Sequence, residues 1–256
     1  MNILAKKDTE NYIVAKSNKL IQQSKISLTL YEQRIINYMI SKILADDTEF
    51  KFIEIDYTDF CRLCNLKETN LTYTKRVIKT LADKSWYFGK ILIRWIGEAE
   101  VDSESILLKF HPKMEQFLLQ LKQTGNYTQT ELLHYLQFTS RYSPVLYDYF
   151  KSYINLTFDK KNKSFEIVLK LTEIREKLLL ENKYPLFKDF RVYVIEPSIT
   201  EINKTTDLHV ECEYIKKSRK VDSIKFTISN KDTVEYLKEY EKRRKTINEP
   251  KKSKQI

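Results

Sequence analysis

Apolar residues recur at helical spacing between Thr29 and Leu44, and polar residues fill the positions between them. The apolar stripe consists of Ile35, Ile36, Met39, Ile40, Ile43 and Leu44. Thr29 and Glu32 have the spacing of a capping box, in which each side chain satisfies a backbone N–H group at the helix start. The pattern therefore predicts an amphipathic helix over Thr29–Leu44.

Three further patterns complete the first half of the chain. FKFIEIDYTDFCRLCNL predicts a short strand and then a helix that begins near Thr58, and ETNLTYTKRVIKTLADKS predicts a third helix. In the third helix the spacing turns one set of residues inward, namely Leu71, Thr74, Ile78 and Leu81. KILIRWIG and SILLKFH predict two strands, with EAEVDSE as the hairpin tip. The resulting order of helix, strand, helix, helix and β-hairpin is that of a winged helix-turn-helix, whose third helix usually enters the DNA major groove.

The second half of the chain repeats this order of elements. Ser143 is the expected N-cap of a helix with Pro144 at its first position, and the apolar stripe is Val145, Leu146, Tyr149, Phe150, Tyr153 and Ile154. FEIVLKLTEIREKLL predicts a strand and a helix that begins near Thr172. YPLFKDFRVYVIEPSITEIN predicts a long third helix that bends at Pro197. LHVECEYIKKSRKVDSIKFTIS predicts two strands around a basic tip.

The repeated order predicts an α+β fold made of tandem winged helix-turn-helix domains related by internal duplication. We expect an N-terminal domain over residues 1–124, a C-terminal domain over residues 125–230 and a polar, basic tail over residues 231–256. The tail, with its RRK and KKSK clusters, is either a solvated extension or a supplementary phosphate-binding arm.

Composition limits the kinds of partner, cofactor and metal that we expect. The 256 residues are 42% hydrophobic and carry a formal net charge of +10, which favours nucleic acid as a partner. Only three glycines are present, and their spacing fits neither a Walker A loop nor a dinucleotide fingerprint, so we expect no nucleotide cofactor. Cys61 and Cys64 form a CxxC pair, but the other cysteine and the histidines are scattered singly, so we expect no metal.

Cellular location follows from the same residues. No run approaches about 18 apolar residues, and the N-terminal MNILAKKDTE lacks the apolar stretch of a signal peptide. We therefore expect a cytoplasmic protein that does not enter the membrane.

Three segments carry a family resemblance: VAKSNKLIQQS leading to LTLYEQRIINYMI, then FTSRYSPVLYDYF, and finally EINKTTDLHVECEYIKKSRKVDSIKF. With these segments in this order, the chain resembles the plasmid replication initiators that bind iterons, the short direct repeats of a replication origin. The resemblance implies two winged-helix domains that bind an iteron as a monomer. It also implies a homodimer, formed through the first domain, that represses its own gene. Bound initiators of this family help to melt a nearby A·T-rich segment and recruit host helicase or initiator proteins.

The resemblance assigns DNA-facing positions in the second domain. Lys188 and Arg191 match the recognition helix, and Ser140, Arg141 and Tyr142 match the segment that enters the domain. The basic wing matches Lys216, Lys217, Ser218, Arg219 and Lys220. Relatives often carry a basic run after the position of Phe190, whereas this chain has Arg191-Val192-Tyr193. Tyr193 therefore either replaces a basic contact or belongs to the core.

In the first domain, the residues expected to face DNA lie on the outer side of the third helix. They are Thr72, Tyr73, Lys75, Arg76 and Lys79. A guanidinium can hold guanine O6 and N7 with two hydrogen bonds, so Arg76 and Arg191 are the expected readers of sequence. The lysines are better suited to phosphate, which positions the protein without reading bases.

Two alternatives remain at this point. A tandem winged-helix transcription regulator would bind an inverted repeat as a dimer. A rolling-circle initiator would nick DNA with a tyrosine and a metal held by a His-x-His pair, and no such pair occurs in the sequence. We therefore expect a DNA-binding protein that is not an enzyme.

Overall fold

The computed structural model describes residues 12–25, 27–56, 61, 71–101, 105–157, 164–231 and 236. Within these ranges the helices, labelled in chain order, are α1 (Asn18–Gln23), α2 (Leu30–Ser41), α3 (Leu71–Asp83), α4 (Glu115–Leu118), α5 (Leu121–Thr124), α6 (Leu132–Gln137), α7 (Ser143–Thr157), α8 (Leu171–Leu178), α9 (Phe187–Phe190) and α10 (Glu196–Thr205). A short 3-10 helix precedes α4 at Pro112–Met114, and a π-helical segment, Arg191–Ile195, joins α9 to α10.

The strands form four small antiparallel sheets in the part of the chain that is described. They are β1 (Ile13–Ser17), β2 (Ile53–Asp56), β3 (Ser85–Phe88), β4 (Ile91–Arg94), β5 (Ile96–Val101), β6 (Ser105–Phe110), β7 (Tyr127–Glu131), β8 (Ser164–Lys170), β9 (Leu208–Lys217) and β10 (Lys220–Asn230). Two of the sheets have three strands, in the orders β2–β6–β5 and β8–β10–β9, and two have a pair each, β1–β7 and β3–β4.

The two three-stranded sheets have one topology, which supports the predicted duplication. In the first sheet, β6 is the central strand and pairs with β2 and with its hairpin partner β5. In the second sheet, β10 is the central strand and pairs with β8 and with its hairpin partner β9. Together with α3 and with the helix from Phe187 to Thr205, this arrangement confirms two winged-helix units and an α+β fold. The helix predicted to begin near Thr58 lies outside the described residues, except for Cys61, which is helical and buried.

The capping box predicted for α2 is confirmed. Thr29 Oγ1 accepts a hydrogen bond from the Glu32 backbone N–H at 3.3 Å, and the Glu32 carboxylate accepts one from the Thr29 backbone N–H at 2.7 Å. The predicted C-terminal end at Leu44 is wrong, because the helix ends at Ser41. The Asp47 carboxylate accepts a hydrogen bond from the Leu44 N–H at 2.8 Å, which gives the backbone an alternative to the helix there.

The strand predictions of the first domain need a correction. KILIRWIG is not one strand, because it divides at the buried residue Trp95 into β4 and β5. Most of the predicted tip, EAEVDSE, is strand β5. The sequence analysis also missed β3, which pairs with β4 through a two-residue turn. Gly89 in that turn has a φ of +58°, a left-handed conformation that glycine adopts without strain.

The start of α7 also differs from its prediction. Ser143 is the first residue of the helix and not its N-cap, and the Leu146 N–H donates to the Tyr142 carbonyl. The Ser143 hydroxyl instead donates to the Glu201 carboxylate at 2.6 Å, which ties α7 to α10. The apolar stripe is confirmed at Leu146 and Phe150, which are fully buried, but it also includes Tyr147, which the spacing did not indicate.

A buried ion pair connects β1 to α7. Lys16 Nζ lies 2.6 Å from Asp148 Oδ2, and their side chains are 9% and 14% exposed. The Tyr135 hydroxyl donates to the other carboxylate oxygen of Asp148, and the Lys16 ammonium lies 4.6 Å from the centre of the Tyr135 ring. Because β1 also pairs with β7 along its whole length, the N-terminal strand is attached to α7 by both backbone and side-chain contacts.

A second polar network lies at the other side of α7. The Tyr147 hydroxyl donates to Asp207 at 2.8 Å and is 2.7 Å from His134 Nδ1, while Lys151 Nζ is 2.7 Å from the same carboxylate. His134 Nε2 is 2.6 Å from the hydroxyl of Tyr236, in the C-terminal segment. The network therefore joins α6, α7, the segment before β9 and the C-terminal segment.

The network predicts an acid-sensitive contribution to stability. Burial alone would raise the pKa of Asp207, but the charges of Lys151 and His134 and the hydrogen bonds outweigh burial and lower the pKa below its usual value of 3.8. The stability that this carboxylate confers is therefore present above pH 3.8 and lost as the pH falls through the lowered pKa. Asp207→Asn should reduce the free energy of unfolding at pH 7 by about 2 kcal/mol, and this deficit should shrink towards pH 3.

Urea denaturation followed by circular dichroism at pH 7, 5 and 3 checks the prediction. Asp222→Asn is the matched control, because Asp222 is exposed on β10, and it should change stability by less than about 0.5 kcal/mol. A deficit for Asp207→Asn that stays constant across this pH range would contradict the assignment.

Candidate nucleic-acid interface

Helix α3 presents one polar face to solvent and packs the other against the first domain. Thr74, Ile78 and Leu81 are buried, as predicted, and Leu71 is partly buried. All the candidate DNA-facing residues of this helix are exposed, namely Thr72, Tyr73, Lys75, Arg76 and Lys79. The Tyr31 hydroxyl, 3.2 Å from Thr74 Oγ1, links α3 to α2. The helix therefore offers two lysines, an arginine and a tyrosine on a fixed support.

The corresponding helix of the second domain runs without a break from Phe187 to Thr205 through α9, the π-helical segment and α10, and is called here the second recognition helix. Phe190, Val194 and Ile195 are completely buried and fix its inner face. Lys188, Val192 and Glu196 are exposed at intervals of four residues along its solvent-facing side, and this row is called here the outer ridge.

The π-helical segment follows from Pro197. The sequence analysis placed a bend at this proline, and the structure places the irregularity in the five residues before it. Pro197 has no N–H to donate to the Tyr193 carbonyl, so the α-helical pattern cannot pass this point. The Glu196 N–H donates to the carbonyl of Arg191, five residues back, instead of to Val192. The extra residue in this turn places both Val192 and Tyr193 on the exposed side of the helix.

Arg191 is less exposed than a base-reading residue was expected to be, whereas Tyr193 is well exposed. Arg191 is half-buried, and its Nε lies 3.4 Å from a carboxylate oxygen of Glu196 on the same helix. Tyr193 is 60% exposed, and its ring stacks on Tyr184 with 5.8 Å between the ring centres. The interpretation of Tyr193 as a core residue is therefore wrong.

The hairpin of β9 and β10 ends in a concentrated positive charge. Its tip residues are all exposed, namely Lys216, Lys217, Ser218, Arg219 and Lys220. Lys217 and Lys220 face each other across the two strands, and Ser218 in the turn has a φ of +59°. Like charges directly opposite each other destabilise a hairpin. The arrangement therefore costs folding stability and is suited to binding a polyanion.

The segment Ser140–Tyr142 makes contacts within the protein. The Ser140 N–H donates to the Glu201 carboxylate at 3.1 Å, and the Arg141 guanidinium donates to Ser27 Oγ at 2.9 Å. The Arg141 carbonyl accepts a hydrogen bond from the Gln33 amide at 2.9 Å. In this structure the segment joins α7 and α10 to the first domain.

The described residues show neither a metal-binding cluster nor a membrane-spanning helix. No group of three or more histidine, cysteine or acidic side chains in the described ranges could hold a metal ion. None of the described helices combines the length and the apolar character that a membrane-spanning segment needs.

An exposed polar helix in each of two winged-helix domains, basic in the first and carrying Lys188 and Arg191 in the second, together with a basic wing on the second domain, is the arrangement of a protein that binds DNA. Two family models match the chain. Residues 13–151 match the model described as "Initiator Replication protein, WH1", and residues 170–228 match the one described as "Initiator Rep protein, WH2". The chain therefore belongs to the family of initiator replication proteins and carries both of its winged-helix domains.

Individual relatives agree with this assignment. The chain is 22% identical over 252 residues to a "Replication initiation protein" of Escherichia coli, covering 92% of this chain and 75% of the relative. It is 28% identical over 172 residues to the "PI protein" of Escherichia coli, covering 62% of this chain and 53% of the relative. Its fold matches a crystal structure of "Pi initiator protein in complex with iteron DNA" with a TM-score of 0.69 at 21% identity, covering 86% of this chain and 98% of the other.

Two residues of the outer ridge, Val192 and Glu196, were not among those expected to face DNA. A strictly α-helical count does not show which of Arg191, Val192 and Tyr193 points outward, because the π-helical segment changes the count. Pro197 was the signal that could have indicated such a change. Glu196 places a negative charge on the outer ridge, beside Arg191.

This charge should oppose non-specific binding to DNA. At about 7 Å from a phosphate in water, one unit charge contributes about 0.6 kcal/mol. Glu196→Gln should therefore increase the affinity for random-sequence duplex by about threefold at low salt. Fluorescence anisotropy with a labelled random duplex measures this change.

Glu166→Gln is the matched control, because it makes the same charge change on β8, where Glu166 pairs with Lys225 at 2.7 Å. Equal gains in affinity from the two variants would show that only the net charge matters and not the position on the outer ridge.

Proposed function

We propose that this replication initiator recognises directly repeated iterons in double-stranded DNA as a monomer, with one recognition helix of each domain in a major groove. The observation that carries this proposal is the pair of exposed helices, the basic α3 and the second recognition helix with its adjoining basic wing, on two domains of one chain. Iteron DNA is the partner in the crystal structure of the related Pi initiator protein.

Two linked domains suit the recognition of a direct repeat. Major-groove faces on one side of a duplex recur about every 34 Å, and a single winged helix covers only a few base pairs of such a face. Joining two domains lengthens the sequence that is read and makes the second binding event intramolecular. A direct repeat lacks the two-fold symmetry of a dimer, so it suits a monomer.

We assign different tasks to the two kinds of basic residue. Arg76 and Arg191 read guanine, with about 1–3 kcal/mol of discrimination for each bidentate contact. Phosphate contacts come from the other basic residues of α3, the second recognition helix and the wing, namely Lys75, Lys79, Lys188, Lys216, Lys217, Arg219 and Lys220. Further contacts with the DNA backbone come from their neighbours, namely Thr72, Tyr73, Ser140, Arg141, Tyr142, Tyr193 and Ser218. If about six phosphates are neutralised, log affinity falls with log salt concentration with a slope near −5.

The remaining parts of the proposal rest on the family. A homodimer formed through the first domain represses the initiator's own gene, and bound monomers help to open the origin and recruit host helicase or initiator proteins in the cytoplasm. Exposed apolar side chains on the β3–β4 hairpin, Tyr87, Ile91 and Leu92, support a protein contact in the first domain. No catalytic step is part of this role.

We also propose the domain division at residues 124 and 125, with a basic tail from residue 231. In support, the second sheet and the second recognition helix belong entirely to residues 164–230. The β1–β7 pair and helix α7 then form the connection between the domains.

Selection of bound sites from random duplexes, followed by footprinting and measurement of the stoichiometry, tests the proposal. We expect one monomer to protect two unlike sequence elements about one helical turn apart. A dimer on a palindrome, without a monomer complex, would instead indicate a transcription regulator.

Two substitutions test the division between base and phosphate contacts. Arg191→Ala should relax base preference at one position of the selected site, since a guanine contact is lost. Lys217→Ala should weaken binding to all sequences about equally and reduce the salt slope by about 1. Binding titrations of both variants, on the selected site and on single-base variants at several salt concentrations, give these values. Equal losses of selectivity would contradict the division.

A further inference from the structure

An apolar side chain occupies the middle of the outer ridge. Val192 is 39% exposed, and it lies between Lys188 and Glu196, which are both exposed. The two neighbouring exposed apolar residues are Tyr193, at 60%, and Leu186, at 65%, immediately before the helix. The part of the helix opposite the domain core is therefore apolar at its centre and charged at its ends.

Folding stability gains little from a valine at this position. A β-branched residue has a lower helix propensity than alanine or lysine, and a valine that stays 39% exposed gains only part of the burial energy of a core valine. The inner face of the helix is already filled by Phe190, Val194 and Ile195. A contact with a partner would remove the exposed part of this side chain from water.

The major groove offers one apolar group that such a side chain can recognise. Among the four bases only thymine presents a methyl group there, at C5, and small apolar side chains contact it. Valine has no hydrogen-bond donor or acceptor, so it can neither satisfy the polar edge of guanine or adenine nor accept from the cytosine amino group.

We propose that Val192 is a specificity-determining residue that reads thymine through its C5-methyl group. This inference rests on the proposed function, because it requires the second recognition helix to lie in the major groove. It assigns a base preference to an apolar residue of the helix, in addition to the guanine contacts of the arginines.

Substitution of thymine by deoxyuridine isolates this contact. Deoxyuridine keeps the base pair and the hydrogen-bonding groups and lacks only the C5-methyl group. Each thymine of the selected duplex is replaced singly, and the dissociation constant of the full-length protein is measured by anisotropy. Within the half of the site protected by the second domain, we expect one position at which binding weakens about fourfold, the effect of one buried methyl group.

Val192→Ala should abolish the discrimination between thymine and uracil at that position and leave the sensitivity of the other positions unchanged. The exposed position of Val192 means that this variant should fold as the parent does, which its thermal unfolding curve verifies. Val168→Ala, an exposed valine on β8, is the matched control and should retain the fourfold effect.

The outcomes separate the inference from the proposed function. Sequence-selective binding without sensitivity to any thymine methyl group would overturn the inference alone. The same applies if Val192→Ala retains the full discrimination at the sensitive position. A lack of sequence-selective duplex binding would overturn the proposed function, and the role of Val192 with it.

Discussion

The buried pair of Lys16 and Asp148 is the contact on which the arrangement of this chain depends. Moving two charges out of water costs several kcal/mol for each ion, and only good geometry with additional hydrogen bonds offsets that cost. Here the separation is 2.6 Å, and Tyr135 both donates to Asp148 and lies under the Lys16 ammonium. Because Asp148 belongs to α7, and α7 is tied to α10 through Ser143, the ion pair links the N-terminal strand to the second recognition helix.

The two winged-helix domains share a topology but differ in the charge of their hairpins. Both hairpins expose two glutamates on their first strand, Glu98 and Glu100 on β5 and Glu211 and Glu213 on β9, but the second adds the basic tip Lys216 to Lys220. Phosphate attraction therefore favours the second wing and opposes a close approach of β5 to the DNA backbone. The two copies therefore keep the same topology but differ in their surface charges.

Local sequence signals predicted local structure well, and contacts between distant segments account for what they missed. The spacing of Thr29 and Glu32 was enough for the capping box, and the KKSRK run was enough for a basic hairpin tip. Ser143 could not be recognised as a partner of Glu201, because the two are joined only by the fold. The exposure of Val192 depends on the π-helical segment before Pro197, which a count of 3.6 residues per turn does not contain.

Charged and apolar contacts on the same helix depend differently on salt concentration. Lysine–phosphate attraction supplies affinity for any sequence and weakens steeply as salt rises, because it depends on the release of counterions. A contact between Val192 and a methyl group depends on the removal of apolar surface from water, which salt does not screen. As ionic strength increases, non-specific binding therefore declines faster than the preference for thymine. An apolar centre between charged ends, with Glu196 reducing attraction to random DNA, thus favours discrimination over total affinity.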